Sequence, residues 1–352
     1  MDLSTRYMGL ALRNPLVASA SPLSFTVDGV RRLADAGVGA IVLYSLFEEQ
    51  VREEAARTAA LVDGPADSFA EAMDYVPAIA KEDAGARPYL SLVERAAAAV
   101  DVPVIASLNG VTPEGWVDYA RAMQDAGAAA IELNIYYLPG DLQVSGRDVE
   151  QRHVDVLQRV KGAVTVPVAI KLSPYFSSIG EMALRLDEAG AEALVLFNRF
   201  LQPDIDPEAL VLFNRLLQPD VDPEALAFSS SVPLSSRADG RLPRTWIALL
   251  RGRVRASLAA TGGVDGPSDV AGHLLAGADV VMTASALLRH GPAYATVLLE
   301  GLSTWMARKG FASVDELRGM LAVPTASDGA EFERAGYVSA LRAANARAQG
   351  PW

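Results

Sequence analysis

The sequence predicts an α/β protein of the (β/α)8 barrel class, and three observations predict it. Eight short apolar runs, at 15–19, 40–45, 102–108, 130–135, 167–173, 193–198, 257–263 and 280–286, recur along the chain with helix-length amphipathic stretches such as 113–126 and 179–189 between them. Several runs are β-branched and apolar on both faces, as strands of a parallel sheet covered on both sides should be. Four helical stretches close on a glycine just before the next run, at Gly37, Gly127, Gly190 and Gly277. A glycine there lets the chain enter the left-handed region and turn back into the sheet. The first run is followed by Ser19-Ala20-Ser21-Pro22 instead of the GxGxxG turn usual in a doubly wound sheet, so eight βα units read as a closed barrel.

With 352 residues, 51% of them hydrophobic, the chain can bury a full core as one barrel domain over 1–352. A near-repeat complicates the sixth unit. Residues 194–209 and 210–225 agree at 14 of 16 positions. A period of 16 in two copies is a local duplication rather than a solenoid. The first copy directly follows the Gly190 cap and is predicted to supply strand six; the second is predicted to form an extra loop or short helix near the barrel mouth. Residues 227–243, rich in Ser, Pro and charge, read as a long loop before the next helix, and 63–77 as a second lid candidate. A helical tail closes the chain.

Composition excludes several chemistries. There is no Cys, which removes thiol nucleophiles, CxxC redox pairs, Fe–S clusters and thiolate zinc sites. The histidines are His153, His273 and His290; no metal site is predicted, His153 and His273 sit in helical patterns, and His290 reads as structural. A net charge of −12 without a Lys/Arg run argues against nucleic acid and anionic membranes, and for a small-molecule partner. The first seven residues lack a leader pattern and no uncharged apolar stretch reaches the roughly 18 residues of a membrane span, so a cytoplasmic location is expected.

Barrel active sites lie at the C-terminal strand ends. Strand seven ends in Thr261-Gly262-Gly263-Val264 and strand eight in Met282-Thr283-Ala284-Ser285. Adjacent glycines let an anion approach backbone N–H groups, and a helix opening at Ala284 and Ser285 aims its N-terminus at the same place. Each motif alone also suits a tight turn or small-residue packing; on consecutive strands the pair reads as a phosphate cradle. Strand five carries Lys171 in a run that otherwise looks buried. It needs a counter-charge or a polar ligand, and Glu132 in Glu132-Leu133-Asn134 on strand four is the candidate for the first; both roles are open.

These segments, with His273-Leu274-Leu275-Ala276-Gly277-Ala278-Asp279, Ser285-Ala286-Leu287-Leu288, Asn14-Pro15, Lys171-Leu172, Pro174-Tyr175-Phe176 and the tail from Trp305 to Gly319, closely resemble the dihydroorotate dehydrogenase family, over about residues 10–321 apart from the duplicated copy. The resemblance implies FMN at the barrel mouth, its phosphate at Gly262, Gly263, Ala284 and Ser285 and its ring near Ser19, Ala20, Asn134 and Lys171. A cation at Lys171 would stabilise negative charge on the reduced ring. It implies oxidation of dihydroorotate to orotate in pyrimidine biosynthesis, an acidic substrate near Asn134, Asn198 and Arg199, fumarate or another soluble electron acceptor, no membrane extension as in the soluble first class, and a homodimer.

The chain departs from that class at three places. Tyr44 stands where the class has a lysine at the end of strand two, and Tyr137 where it has its catalytic cysteine. The asparagine-rich substrate pattern is reduced to Asn134, and Asn198 is followed by Arg199, with Asn214-Arg215 in the second copy. Lys171, Tyr44 and Tyr137 are therefore the candidate catalytic residues. A tyrosine, with a usual pKa near 10, would need a shift of about three units or a relay to act as base at neutral pH; the alternative is that both tyrosines wall the pocket. Arg199 or Arg215 suits a substrate carboxylate, or else answers Asp204 or Asp206. Three further readings stay open: an FMN enzyme for another small cyclic or unsaturated acid, a flavin-binding subunit without turnover, and a colourless phosphate-binding isomerase using Lys171 as a Schiff base.

Overall fold

The computed structural model describes residues 1–53, 86–110, 112–135, 137, 143–198, 220–222, 227–229, 234–326 and 338. The lid candidate at 63–77, Arg199, Asn214, Arg215 and the second repeat copy apart from 220–222 lie outside them. An antiparallel hairpin, β1 (Thr5–Tyr7) and β2 (Leu10–Leu12), precedes the barrel. Strands β3 (Leu16–Ala18), β4 (Ala40–Phe47), β5 (Val104–Asn109), β6 (Ala130–Asn134), β7 (Val168–Leu172) and β8 (Ala193–Leu196) follow in order. A separate antiparallel pair, β9 (Asp220–Asp222) and β10 (Ala227–Ser229), comes next, then β11 (Ser257–Thr261) and β12 (Val280–Thr283). β3 to β8, β11 and β12 make one closed, all-parallel barrel, with β12 pairing back onto β3. This is the predicted (β/α)8 class.

The helices are α1 (Val27–Asp35), α2 (Arg87–Ala99), α3 (Pro113–Asp125), α4 (Gly146–Lys161), α5 (Ile179–Glu188), α6 (Arg241–Leu250), α7 (Pro267–Ala276), α8 (Ser285–His290), α9 (Tyr294–Lys309) and α10 (Val314–Leu317). Side-chain caps start them: Thr26, Thr112, Ser145, Ser178 and Ser313 each accept a backbone N–H of the first turn. The predicted cap glycines all have positive φ, from 93° at Gly127 to 121° at Gly277. Among the described residues no helix is long and apolar enough to cross a membrane.

Period-two alternation in the strands sorts side chains into two cores. One face of each strand packs with the helices in a large outer cluster that includes Leu16, Ile41, Leu108, Ile131, Ile170 and Leu196. The other face fills the barrel, and there small residues dominate: Ala40, Ala130, Ala169, Ala193 and Ala259. The space they leave is taken by Tyr7, Met8 and Leu12 of the hairpin, which close the N-terminal end. Met8 N donates to Ser257 Oγ and Thr5 Oγ1 to the Asp279 carbonyl, pinning the hairpin beneath β11 and β12.

The first repeat copy is strand six, since β8 pairs with β7 and with β11 in parallel register. The second copy differs from expectation where it is described. Asp220–Asp222 is a strand, with Val221 opposite Phe228; a polar, β-branched, polar alternation suits an extended chain better than a helix. The predicted loop at 227–243 is likewise broken by β10 and by a 3-10 turn at Arg237–Gly240, before α6 begins at Arg241. Ser236 and Asp239 form a reciprocal capping box that sets this turn. Strand two is longer than its predicted end at 45, and its register against β5 shifts between Val42 and Ser45. This bulge, which contains Leu43 and Tyr44, lets the strand continue to Phe47.

Two histidines lie in the helical layer. His153 is buried, with Nδ1 at 2.8 Å from the Val149 carbonyl and its ring edge-on to Phe176, and burial pushes its pKa down. His273 is fully buried in α7 with no hydrogen-bond partner on either ring nitrogen among the described residues. Burial, reinforced by the Arg244 charge and opposed by Asp269, lowers its pKa to about 3. The folded protein keeps His273 neutral where the unfolded chain, titrating near 6.5, takes up a proton, so stability falls as pH drops below that value. By pH 5.5 this group alone is expected to remove about 1 kcal/mol. Urea titrations at pH 7.5 and 5.5 check it: His273→Phe should show a visibly flatter acid dependence than the parent, and an unchanged slope would overturn the assignment.

Candidate active site at the C-terminal face of the barrel

Lys171 and Glu132 sit on neighbouring strands with inward-facing register, Glu132 opposite Ala169 and Asn134 opposite Lys171. Lys171 Nζ lies 3.4 Å from Glu132 Oε1. The carboxylate is 1% exposed and the lysine 8%. The counter-charge predicted for Lys171 is therefore in place, and the ammonium stands at the mouth end of the barrel core. Above it Asn198 Nδ2 donates to Asn134 Oδ1 at 2.6 Å, and Asn198 N to the Leu172 carbonyl at 2.7 Å, joining the ends of β6, β7 and β8. Ser19 and Ala20 follow β3: Ser19 N donates to the Thr283 carbonyl at 3.0 Å, and Ala20 packs against the inner cluster. Lys171, Asn134, Asn198, Ser19 and Ala20 thus share one end of the barrel.

The diglycine turn follows β11. Gly262 has φ 90° and Gly263 φ 70°. A Cβ at Gly262 would meet nothing within 4 Å, whereas one at Gly263 would lie 2.2 Å from Gly240 N and 2.7 Å from the Ser236 carbonyl oxygen. One glycine therefore faces open space and the other is closed by backbone. On the next strand Thr283 Oγ1 donates to the Val264 carbonyl at 3.2 Å, and Ala284 is the N-cap of α8, whose first residue is Ser285. This hydrogen bond ties the two motifs together.

Sequence reasoning missed the strap across this turn. Ser235 N donates to Ser285 Oγ at 3.0 Å, the two hydroxyls are 2.8 Å apart, and Arg289 donates to the Ser235 carbonyl while pairing with Asp265 at 2.8 Å. Residues 235–240 thereby back Gly263 and hold Ser285. The signal that pointed there was the Ser236/Asp239 capping spacing inside a run read as loop.

The two tyrosines are held against different helices. Tyr44, in the β4 bulge, has its ring edge-on between Phe25 at 4.6 Å and Tyr89 of α2 at 5.0 Å. Tyr89 is itself fixed by a hydroxyl that exchanges hydrogen bonds with the Ser107 backbone. Tyr137 is half-buried with the Arg152 guanidinium 4.6 Å over its ring. It lines a cleft of about 410 Å³ with Trp116 of α3 and Gln151, Arg152 and Asp155 of α4.

The protein is of the (β/α)8 barrel class, with a buried lysine–carboxylate pair and a diglycine turn at the C-terminal ends of its strands. No protein-family model matches the chain. Over nine-tenths of its length it is similar to named enzymes: 28% identical over 330 residues to the catalytic subunit of dihydroorotate dehydrogenase B (NAD+) from Methanothermobacter thermautotrophicus, covering 90% of this chain and 98% of the relative. It is 27% identical over 328 residues to the putative dihydroorotate dehydrogenase A (fumarate) of Aeropyrum pernix, covering 90% and 97%. It is 26% identical over 341 residues to subunit PreA of the NAD-dependent dihydropyrimidine dehydrogenase of Escherichia coli K12, covering 91% and 76%. The chain is thus similar, over nine-tenths of its length, to dihydroorotate and dihydropyrimidine dehydrogenases.

Proposed function

We propose that the protein binds FMN at the C-terminal mouth of the barrel and oxidises dihydroorotate to orotate, passing the electrons to a soluble acceptor. The observation that carries this reading is the diglycine turn, open at Gly262 and backed at Gly263, in a chain similar over nine-tenths of its length to a dihydroorotate dehydrogenase catalytic subunit. The residues present fit the cofactor. Gly262, Gly263, Ala284 and Ser285 would hold its phosphate through backbone N–H groups and a hydroxyl, and Ser19, Ala20, Asn134 and Lys171 would border its ring. When bound, FMN supplies the hydride acceptor.

The chain's own residues do the remainder. Oxidation removes a proton from C5 and a hydride from C6. Lys171 brings positive charge to the base of the site, compensated by Glu132, and its burial from bulk solvent strengthens its field. The paired amides of Asn134 and Asn198 each keep a second hydrogen-bonding group for the substrate, and Arg199 would pair with its carboxylate. Tyr137 is assigned the C5 proton because it follows β6 in the place of the family's cysteine, and Tyr44, packed between two rings, is assigned to the wall.

The visible spectrum tests this directly. The purified protein is expected to show flavin bands that bleach on anaerobic addition of dihydroorotate. Tyr137→Phe should slow bleaching by at least about 100-fold, while Tyr44→Phe should change it less than about threefold. Flavin that stays oxidised with dihydroorotate but bleaches with another cyclic or unsaturated acid would transfer the assignment to that substrate, a reading favoured by the missing cysteine. Flavin that no acid reduces would leave a binding subunit, and a colourless protein that FMN cannot reconstitute would overturn the proposal.

A further inference from the structure

Among the described residues, two polar atoms of the barrel interior have no hydrogen-bond partner. Tyr7, carried in from the N-terminal end by the hairpin, is 1% exposed, and its hydroxyl has no partner. Glu132 uses Oε1 on Lys171 and leaves Oε2 buried without a partner. Both groups belong to the inner side of the barrel, where the ring of alanines gives way to polar side chains. Ser107 stands next to Glu132 in the β5–β6 register, fully buried, with its hydroxyl 2.8 Å from that of Ser45. Burial raises the Tyr7 pKa well above its normal value, and the negative charges of Glu132 and then Asp279 raise it further. Asp279 is already answered by Arg251 at 2.9 Å and Arg318 at 3.1 Å; Glu132 has the unmet oxygen. Unpaired polar atoms this deep are expensive, and an internal water with two to four polar partners is the usual remedy.

We propose that Tyr7 is a positioning residue for Lys171: its hydroxyl and the second oxygen of Glu132 share one buried water, with Ser107 alongside, and this fixes the carboxylate as the lysine's counter-charge. A hydroxyl at the closed end of the barrel thereby helps set the charge at the open end. In function this deepens the FMN reading, because Lys171 borders the proposed ring site, but the arrangement is a property of the polypeptide and can be read without flavin.

The consequence is positional. Without the Tyr7 hydroxyl the carboxylate loses one of its two anchors and turns away from the ammonium. The chain has four lysines, Lys81, Lys161, Lys171 and Lys309, so the 13Cε signals of lysine-labelled protein can be followed singly, with Lys171→Arg giving the assignment. Tyr7→Phe is expected to move the Lys171 signal, at one fixed neutral pH, toward the position it takes in Glu132→Gln while the Lys161 and Lys309 signals stay in place, and the double variant should match Glu132→Gln alone. A Tyr7→Phe protein with an unmoved Lys171 signal would overturn the proposal, whatever its melting temperature. Should Tyr7→Phe fail to fold, magnetisation transfer from bound water to the Tyr7 ring in the unaltered protein decides: a cross-peak supports the bridge and a dry ring overturns it. The spectra are recorded with and without added FMN. A protein that never takes up flavin but shows the Lys171 shift would sink the cofactor reading and keep this one.

Discussion

Gly263→Ala is expected to abolish flavin retention and to cost the fold more than about 3 kcal/mol. Two terms add. Residue 263 has φ 70°, where an L side chain is strained by roughly 1–2 kcal/mol. The new Cβ would also lie 2.2 Å from Gly240 N and 2.8 Å from Gly240 Cα, and these are backbone atoms of a strap tied to Ser285 and Arg289. Backbone so anchored cannot step aside as the end of a flexible side chain would. Gly262→Ala is the control that separates cofactor binding from stability. It bears the positive-φ strain, at φ 90°, but meets no atom within 4 Å, so it should fold with a loss of roughly 1–2 kcal/mol. Its methyl group would nevertheless stand in the space assigned to the phosphate. Urea unfolding and the ratio of flavin to protein absorbance read the two effects separately. Gly262→Ala that folds without flavin, beside Gly263→Ala that loses both, is the expected pattern. Full flavin retention in Gly262→Ala would remove the phosphate from this turn.

The sequence carried the barrel because its signals were local. A buried parallel strand announces itself as a short apolar run, and a glycine at the preceding helix end marks where the chain turns in, so all eight strands were found near their observed places. The first repeat copy was chosen for strand six on the Gly190 cap alone, and β8 bears that out. The Lys171–Glu132 contact was also legible, because a lone charge in an apolar strand needs a partner and the adjacent strand offered one. What stayed hidden depends on contacts between distant segments. Nothing around Leu43 and Tyr44 resembles a bulge signal, since neither neighbour is glycine or proline, yet the register shift there puts Tyr44 among Phe25 and Tyr89. Tyr137 was placed correctly after its strand, but its stacking on Arg152 is decided by how α4 packs. Ser235 and Ser285 are 50 residues apart, and no period in the sequence connects them. Tyr7 carried no signal at all: three residues of hairpin strand do not reveal that their tyrosine enters a barrel.

Lys171→Met is expected to destabilise the protein by about 3–5 kcal/mol, more than a surface lysine could cost, because of what it leaves behind. Glu132 is 1% exposed and pairs with Lys171. Without the ammonium a carboxylate would stand inside a barrel lined with alanine and valine, and burying a charge unpaired is among the costliest single changes a core can suffer. Glu132→Leu should be comparably damaging for the mirror reason, an uncompensated ammonium. The double variant Lys171→Met/Glu132→Leu should recover most of the loss, since a hydrophobic pair of similar volume often equals or exceeds a buried ion pair in stability. Guanidinium midpoints of the parent, the two single variants and the double variant give the coupling energy, provided the denaturant slopes agree. Equal losses in the single and double variants would mean that the pair contributes through packing and not through charge. The double variant also separates stability from chemistry. A protein that folds as well as the parent, and whose flavin dihydroorotate nonetheless fails to bleach, would show that the pair is retained for the reaction at the barrel mouth, while the fold could do without it.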